Sequence, residues 1–213
     1  EPVAIKQIYL DETDKFSNLL NEIRIMKNLR HPNVVTLHNV QMDFEKGYLY
    51  LIMEFCEGAD LSQYISEYVL DLEEVHQYMS QIKDGLQYLS EKGIVHRDLK
   101  PHNILIHNGS AKIADFGLSI SKNIKENVMM KTTCGSPLYM SPEIIEHKKY
   151  TSKSDLWSVG IIMYQLIYRS HPYEDCENMN QLSTQIKIRP IIYPEKPGKR
   201  QDIHTNIRHE NFS

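Results

Sequence analysis

One long amphipathic helix is the strongest structural signal in this 213-residue sequence. Its apolar residues recur three or four positions apart, at Leu72, Val75, Met79, Ile82, Leu86 and Leu89. Such a stripe has to be buried against other elements. The preceding chain reads differently, with apolar and β-branched runs at 3–10, 34–42 and 48–55 and a helical pattern at 14–29. The sequence therefore predicts an α+β fold, in which a small antiparallel sheet with one helix precedes a mainly helical part.

The chain beyond the long helix is predicted to be more irregular. In order, the pattern predicts short strands with an Asn108-Gly109 hairpin turn, a polar loop at 119–141, a buried helix at 152–168 that Ser154-Asp155 starts, and a short helix at 178–188. A loop as long as 119–141 is usually functional or mobile in a compact domain. From Pro190 onward, prolines and charges indicate a loose tail.

Charge and cysteine usage exclude several classes of function. The net charge is −4 and the pI is about 6.2, so there is no basic excess for binding nucleic acid. The longest apolar stretches, 48–53 and 159–168, are too short for a membrane span. Cys56, Cys134 and Cys176 are widely separated, which fits neither a disulfide framework nor a zinc site. We therefore expect a reducing compartment and a cytoplasmic location.

Short motifs point to one family. They are His96-Arg97-Asp98-Leu99-Lys100-Pro101-His102-Asn103, then Asp115-Phe116-Gly117 starting 12 residues after Asn103, then Ser141-Pro142-Glu143, together with Val3-Ala4-Ile5-Lys6 and Glu22 upstream. In this order they resemble the protein-kinase signature over about residues 1–188. The resemblance implies a two-lobed protein-kinase-like fold, and Lys100 with Pro101 is the serine/threonine pattern. It divides the chain into a partial N-terminal lobe at 1–55, a C-terminal lobe at 56–189 and an irregular tail at 190–213.

Phosphoryl transfer explains the residue types in these motifs. The reaction needs the charge of the polyphosphate neutralised and two oxygens held in line. Asp115 and Asn103 supply oxygen ligands of the kind that Mg²⁺ prefers, although each alone could be a capping or turn residue. By resemblance, Asp98 is the base that accepts the proton of the substrate hydroxyl, and Lys100 neutralises the moving phosphoryl group. The resemblance thus implies ATP and Mg²⁺ as cofactors.

The nucleotide site follows from the same resemblance. Lys6 would grip the α- and β-phosphates, and Glu22 would pair with it; alone, these residues read as a surface lysine and a solvated helix residue. The adenine slot would be formed by Ala4 above the ring, Leu105 below it, the backbone of Glu54 and Cys56, Met53 as gatekeeper, and Asp60 near the ribose. A buried spine of Met26, Leu37, His96 and Phe116 is expected to link the lobes, with His96 in a packing role.

The polar loop 118–141 corresponds to an activation segment. Thr132 takes the usual phosphorylation position, with Thr133 as a rival, and Arg97 would bind the phosphate. An upstream kinase or autophosphorylation in trans would modify it. Ser136 is expected to bond near Asp98 and Lys100. The motifs Asp155, Trp157 and Gly160 match a buried helix that supports the catalytic loop.

Two departures leave the function open. The Gly-rich loop expected before Val3 is absent, and the arginine that should pair with Glu143 is not recognisable among Arg189, Arg200 and Arg208. The first possibility is an active kinase acting on protein serine or threonine, the second a truncated, inactive scaffold or decoy, and the third a nucleotide-independent protein-binding module. Within the family, residues 49–61 and 134–143 most resemble the autophagy-initiating kinases; the calmodulin-dependent and AMP-activated groups are also similar.

Overall fold

The fold begins with a small sheet and continues mainly in helices. The computed structural model describes residues 2–10, 13–121, 136–148 and 151–195, and for 13–18 it describes the backbone alone. Its helices are α1 (Thr13–Met26), α2 (Leu61–Glu67), α3 (Leu72–Glu91), α4 (Pro142–Ile145), α5 (Lys153–Tyr168) and α6 (Met179–Ile188). Its strands are β1 (Val3–Tyr9), β2 (Leu37–Asp43), β3 (Tyr48–Glu54), β4 (Ile94–Val95), β5 (Ile104–His107), β6 (Ser110–Ile113) and β7 (Ile120–Ser121).

The first three strands form one antiparallel sheet. Strand β3 lies in the centre, with β1 on one side and β2 on the other. Exposure alternates along β1, where Ala4, Lys6 and Ile8 are the better covered residues. This alternation confirms the predicted strand, and it turns Lys6 to the covered face of the sheet.

Helix α3 is the frame of the larger part, as its apolar stripe predicts. At its start, the Asp71 side chain accepts the Glu74 amide and the Glu74 side chain accepts the Asp71 amide. This capping box satisfies two amides that have no partner within the helix. Gly93 follows its end with φ of 70°, a left-handed conformation that glycine adopts without strain. Leu72, at the start of the stripe, is 72% exposed, and the rest of the stripe packs against β6 and α5 in one continuous core.

The hairpin β5–β6 carries the predicted Asn108-Gly109 turn. Both residues have positive φ, 49° and 71°, which is the backbone that a two-residue hairpin turn requires. The register pairs Ile104 with Ile113 and Leu105 with Lys112. The hairpin therefore joins the end of the His96–Asn103 motif to the residues just before Asp115.

Some predicted boundaries are wrong. Helix α1 ends at Met26 rather than at residue 29, and α2 and α4 are elements that the pattern did not predict. Helix α5 begins after Ser152, so Ser154-Asp155 lie in its first turn and do not start it. Their side chains bind other segments instead. No helix among the described residues is both long and apolar enough to cross a membrane.

Candidate active site

Helix α5 holds the His96–Asn103 loop in place through the side chain of Asp155. The carboxylate of Asp155 accepts the backbone amides of His96 at 2.8 Å and Arg97 at 2.9 Å. Arg97 has φ of 72°, a strained conformation for a residue with a side chain, and the two amide bonds hold it there. Burial raises the pKa of the Asp155 carboxyl, and the His96 ring and the two amide bonds offset part of that rise. The predicted support of this loop by Asp155 is confirmed.

His96 packs in the core between the loop and the Asp-Phe-Gly segment. Its imidazole is fully buried, its Nε2 lies 3.0 Å from the Ala114 carbonyl, and its ring meets Phe116 edge-on at 5.2 Å. Met26 and Leu37 are buried in the same core. The predicted packing role of His96 is confirmed.

Asp98 lies at the centre of a polar cluster. Lys100 Nζ is 3.1 Å from Oδ2, Asn103 Nδ2 is 3.1 Å from the same oxygen, and the Ser136 amide donates to Oδ1 at 3.0 Å. Lys100 Nζ also donates to Ser136 Oγ at 2.9 Å. The expected contact of Ser136 with Asp98 and Lys100 is thus present. The cluster holds one carboxylate and one ammonium side by side at a partly open surface.

A second charged cluster lies between the small sheet and the Asp-Phe-Gly segment. Lys6 Nζ is 2.8 Å from Glu22 Oε1 and 3.9 Å from Asp115 Oδ1. Glu22 is buried, with 5% of its surface exposed, and Lys6 is its ion-pair partner. Asp115 has φ of 60° and keeps about half of its side chain exposed. The predicted Lys6–Glu22 ion pair is confirmed.

Asn103 and Asp115 fit a divalent metal ion by the chemistry of their oxygens. The Ala114 amide donates to the Asn103 carbonyl at 2.9 Å, so Asn103 lies beside the residue that precedes Asp115. Asn103 Nδ2 donates to the backbone and the side chain of Asp98, which orients its amide oxygen as the acceptor. One amide oxygen and one half-exposed carboxylate are ligands suited to a hard cation.

The predicted adenine-slot residues lie on β1, on β3, in the segment before α2 and on β5. Ala4 faces Met53 in the β1–β3 register, and Leu105 forms an isolated bridge with Asp60. Asp60 also caps α2, since its Oδ1 accepts the Gln63 amide at 2.9 Å. Cys56 is half-buried, and burial raises the pKa of its thiol. In chain order, these residues run from the small sheet, with Ala4 and Met53, through Cys56 and Asp60 before α2, to Leu105 on β5.

Other predicted residues lie apart or outside the described chain. Thr132 and its rival Thr133 lie outside the described residues, as do Arg200 and Arg208. Glu143 accepts a hydrogen bond from Ser154 Oγ. Arg189, the described candidate partner of Glu143, instead binds Asp175 at 2.5 Å. Arg189, the one candidate within the described residues, is therefore not the partner of Glu143, which agrees with the absence of a recognisable partner in the sequence.

Comparison with known proteins supplies the family. The sequence profile of the family described as "Protein kinase domain" matches residues 1–210. The chain belongs to this family. The two-lobed kinase fold predicted from the motifs is thereby confirmed. Members of the family use ATP and a divalent metal ion, and the charged clusters of the structure lie on the motif residues that the family shares.

Three curated relatives show the same similarity. The chain is 42% identical to the serine/threonine-protein kinase atg1 of Dictyostelium discoideum over 205 residues, 91% of this chain and 30% of that protein. It is 37% identical to ATG1c of Arabidopsis thaliana over 90% of this chain and 27% of that one. Human ULK1 is 39% identical over 81% of this chain and 17% of its own length. The atg1 and ULK1 names support the predicted resemblance to autophagy-initiating kinases. The chain spans less than a third of the length of these relatives.

Sequence reasoning missed two features around the site. Glu54 is bound through its side chain by Lys112, whereas the motifs assigned it only a backbone role. His171 is buried and contacts Leu138, close to Ser136. An isolated lysine on a short strand and a histidine before a proline carry no local pattern, so the sequence offered no signal for either contact.

Proposed function

We propose that the chain transfers the γ-phosphoryl group of ATP to serine and threonine hydroxyls of proteins. The arrangement around Asp98 carries this proposal, because Lys100, Asn103 and Ser136 all bind its carboxylate. A carboxylate held in this way can accept the proton of an acceptor hydroxyl as its oxygen attacks phosphorus. Lys100, beside it, neutralises charge on the transferred group.

Nucleotide binding is assigned to the second cluster and to the strands around it. Lys6, oriented by Glu22, binds the α- and β-phosphates. The adenosine contacts are assigned to Ala4, Met53, Glu54, Cys56, Asp60 and Leu105. Asn103 and Asp115 hold Mg²⁺, which when bound neutralises charge on the polyphosphate. The half-exposed Asp115 carboxylate near Lys6 supports this assignment.

The partners in this proposal are protein substrates that carry serine or threonine. Phosphorylation of Thr132, by an upstream kinase or in trans, regulates activity through Arg97. A cytoplasmic location is also part of the proposal, and the free thiols of Cys56 and Cys176 agree with a reducing compartment. The relatives are named kinases, and nothing in these names favours an inactive scaffold or a nucleotide-independent binding module.

The test is transfer of labelled phosphate from ATP to a generic protein substrate such as casein. We expect Mg²⁺-dependent labelling of serine and threonine by the wild-type chain and none by Asp98→Asn. Asp84→Asn is the matched control, because Asp84 is a half-exposed residue on α3, away from both clusters. Two results would overturn the proposal: labelling that persists in Asp98→Asn, or the absence of labelling in every preparation of the wild-type chain.

A further inference from the structure

A buried histidine between α5 and α6 contacts the segment that carries Ser136. His171 Nε2 lies 3.1 Å from the Leu138 carbonyl oxygen, and its Nδ1 lies 3.0 Å from the Tyr173 amide nitrogen. A backbone amide only donates, so Nδ1 is the acceptor and Nε2 carries the proton. His171 therefore donates from Nε2 to Leu138 as a neutral imidazole with one defined tautomer.

The segment Ser136–Tyr139 is held at its far end as well. The Tyr139 hydroxyl donates to Gln165 Oε1 at 2.8 Å, and the Tyr139 carbonyl accepts Ser158 Oγ at 2.7 Å. The Tyr139 ring also meets the His171 ring edge-on, with centroids 5.4 Å apart. These contacts fix Tyr139 on α5, while the His171 bond lies one residue closer to Ser136.

Direct contacts connect His171 to the proposed catalytic carboxylate. Leu138 is two residues from Ser136, whose amide donates to Asp98 Oδ1 and whose hydroxyl accepts from Lys100. A shift of the Leu138 carbonyl would move Ser136, since two residues of backbone leave little slack. The distance between Ser136 and Asp98 thus depends on where His171 holds Leu138.

We propose that His171 is a positioning residue for phosphoryl transfer. Its bond to Leu138 holds Ser136 against Asp98 and Lys100, so that the base and the cation keep one arrangement toward the acceptor hydroxyl. This inference rests on the proposed kinase function. It assigns His171 no contact with nucleotide or substrate.

Two substitutions separate the Leu138 bond from the rest of the histidine. In His171→Asn the side-chain oxygen can replace Nδ1 as acceptor of the Tyr173 amide, but no donor reaches Leu138. In His171→Gln the longer amide places a donor near the position of Nε2. We expect His171→Asn to lower turnover of a protein substrate about tenfold, the effect of one lost buried hydrogen bond. The KM for ATP should stay unchanged, and His171→Gln should recover most of the turnover.

Amide hydrogen exchange gives a readout that needs no turnover. The Ser136 amide should exchange faster in His171→Asn than in wild type, and close to the wild-type rate in His171→Gln. If the wild-type chain transfers no phosphate, the proposed function fails while the exchange rates still test this inference. If His171→Asn keeps the Ser136 amide exchange rate and the turnover of wild type, the positioning role of His171 is wrong. The role is also wrong if turnover in His171→Asn falls together with the melting temperature while the KM for ATP rises, because His171 would then be a structural residue only.

Discussion

Lys112 in β6 and Glu54 at the end of β3 form an ion pair with an Nζ–Oε1 distance of 2.8 Å. Lys112 Nζ also donates to the Pro32 carbonyl at 2.7 Å, and the Thr36 amide donates to Glu54 Oε2 at 3.2 Å. The pair joins β3, the central strand of the small sheet, to the β5–β6 hairpin that precedes Asp115. It therefore ties the proposed nucleotide contacts of one lobe to the proposed metal ligands of the other.

Removal of the lysine should destabilise the fold. In Lys112→Met, Glu54 keeps its charge in a partly buried site without its cation, so we expect the free energy of unfolding to fall by about 1–3 kcal/mol. Urea denaturation at neutral pH measures this. Lys83→Met is the matched control, because 67% of the Lys83 side chain is exposed, and it should change stability by less than about 0.5 kcal/mol. A Lys112→Met midpoint equal to that of the control would contradict the prediction.

The same pair predicts an acid dependence. Burial acts to raise the pKa of Glu54, but the hydrogen bonds from Lys112 and the Thr36 amide outweigh it, so the folded-state pKa lies below the ordinary value. The unfolded chain therefore takes up the proton first as pH falls, and the stabilisation is complete above about pH 5 and lost below the folded pKa. The difference in unfolding free energy between wild type and Lys112→Met should shrink on acidification. A difference that stays constant down to the acid transition is the contrary result.

Glu22 should act through Lys6 rather than on the substrate. Glu22→Gln keeps the shape of the side chain and one acceptor oxygen but removes the charge that fixes the Lys6 ammonium. We expect catalytic efficiency for ATP to fall about 10–100-fold, or roughly 1.4–2.8 kcal/mol, in steady-state assays. Glu73→Gln on the exposed face of α3 serves as the control and should match wild type. Equal kinetics for both variants would show that Glu22 does not orient Lys6 for the proposed phosphate contact.

Asp98 and Asp115 should differ in what their loss affects. Asp98→Asn should abolish transfer while ATP affinity stays near wild type, because the proposed contact of Asp98 is with the acceptor hydroxyl. Asp115→Asn should weaken Mg²⁺–ATP binding as well, since its carboxylate is a proposed metal ligand. Titration calorimetry with ATP, with and without Mg²⁺, separates the two. The same loss of nucleotide affinity in both variants would show that the roles are assigned wrongly.

Thr132 should control activity through Arg97. Phosphorylation adds about −1.5 to −2 charges, and a guanidinium can bind phosphate with two parallel hydrogen bonds. We expect Thr132→Ala to lower turnover, and phosphatase treatment to do the same to the wild-type chain. Mass spectrometry locates the phosphate, and Thr133→Ala tests the rival site. Full activity of Thr132→Ala after phosphatase treatment would contradict the switch.

The sequence predicted the contacts that a period or a motif carries. The inward face of β1 follows from alternation, the stripe of α3 from helical spacing, and the contact of Ser136 with Asp98 and Lys100 from the kinase resemblance. The Glu54–Lys112 and His171–Leu138 contacts were not predictable in this way. Their partners are 58 and 33 residues apart, and only the folded chain brings them together. For Glu143 the sequence analysis found no recognisable arginine partner, and the described candidate Arg189 indeed binds Asp175 instead.

Gly85 in the middle of α3 is required by close packing. A Cβ there would lie 2.9 Å from both the Asn33 carbonyl oxygen and Ile113 Cδ1, closer than real Cβ atoms approach. Glycine to alanine normally stabilises a helix interior by about 1 kcal/mol, but here the backbone of residue 33 would have to move. We therefore expect Gly85→Ala to destabilise the fold by about 1–3 kcal/mol, measured by urea denaturation.

Gly160 in α5 is the matched control for this prediction. It also lies inside a helix, but a Cβ there would meet no atom within 4 Å. Gly160→Ala should therefore raise the free energy of unfolding by about 0.5–1 kcal/mol, the ordinary gain in helix propensity. The two variants make the same chemical change with opposite expected signs. Stabilisation by both would mean that the contact of α3 with Asn33 and Ile113 is looser than the structure gives, and destabilisation by both would mean that the α5 surface around Gly160 is covered.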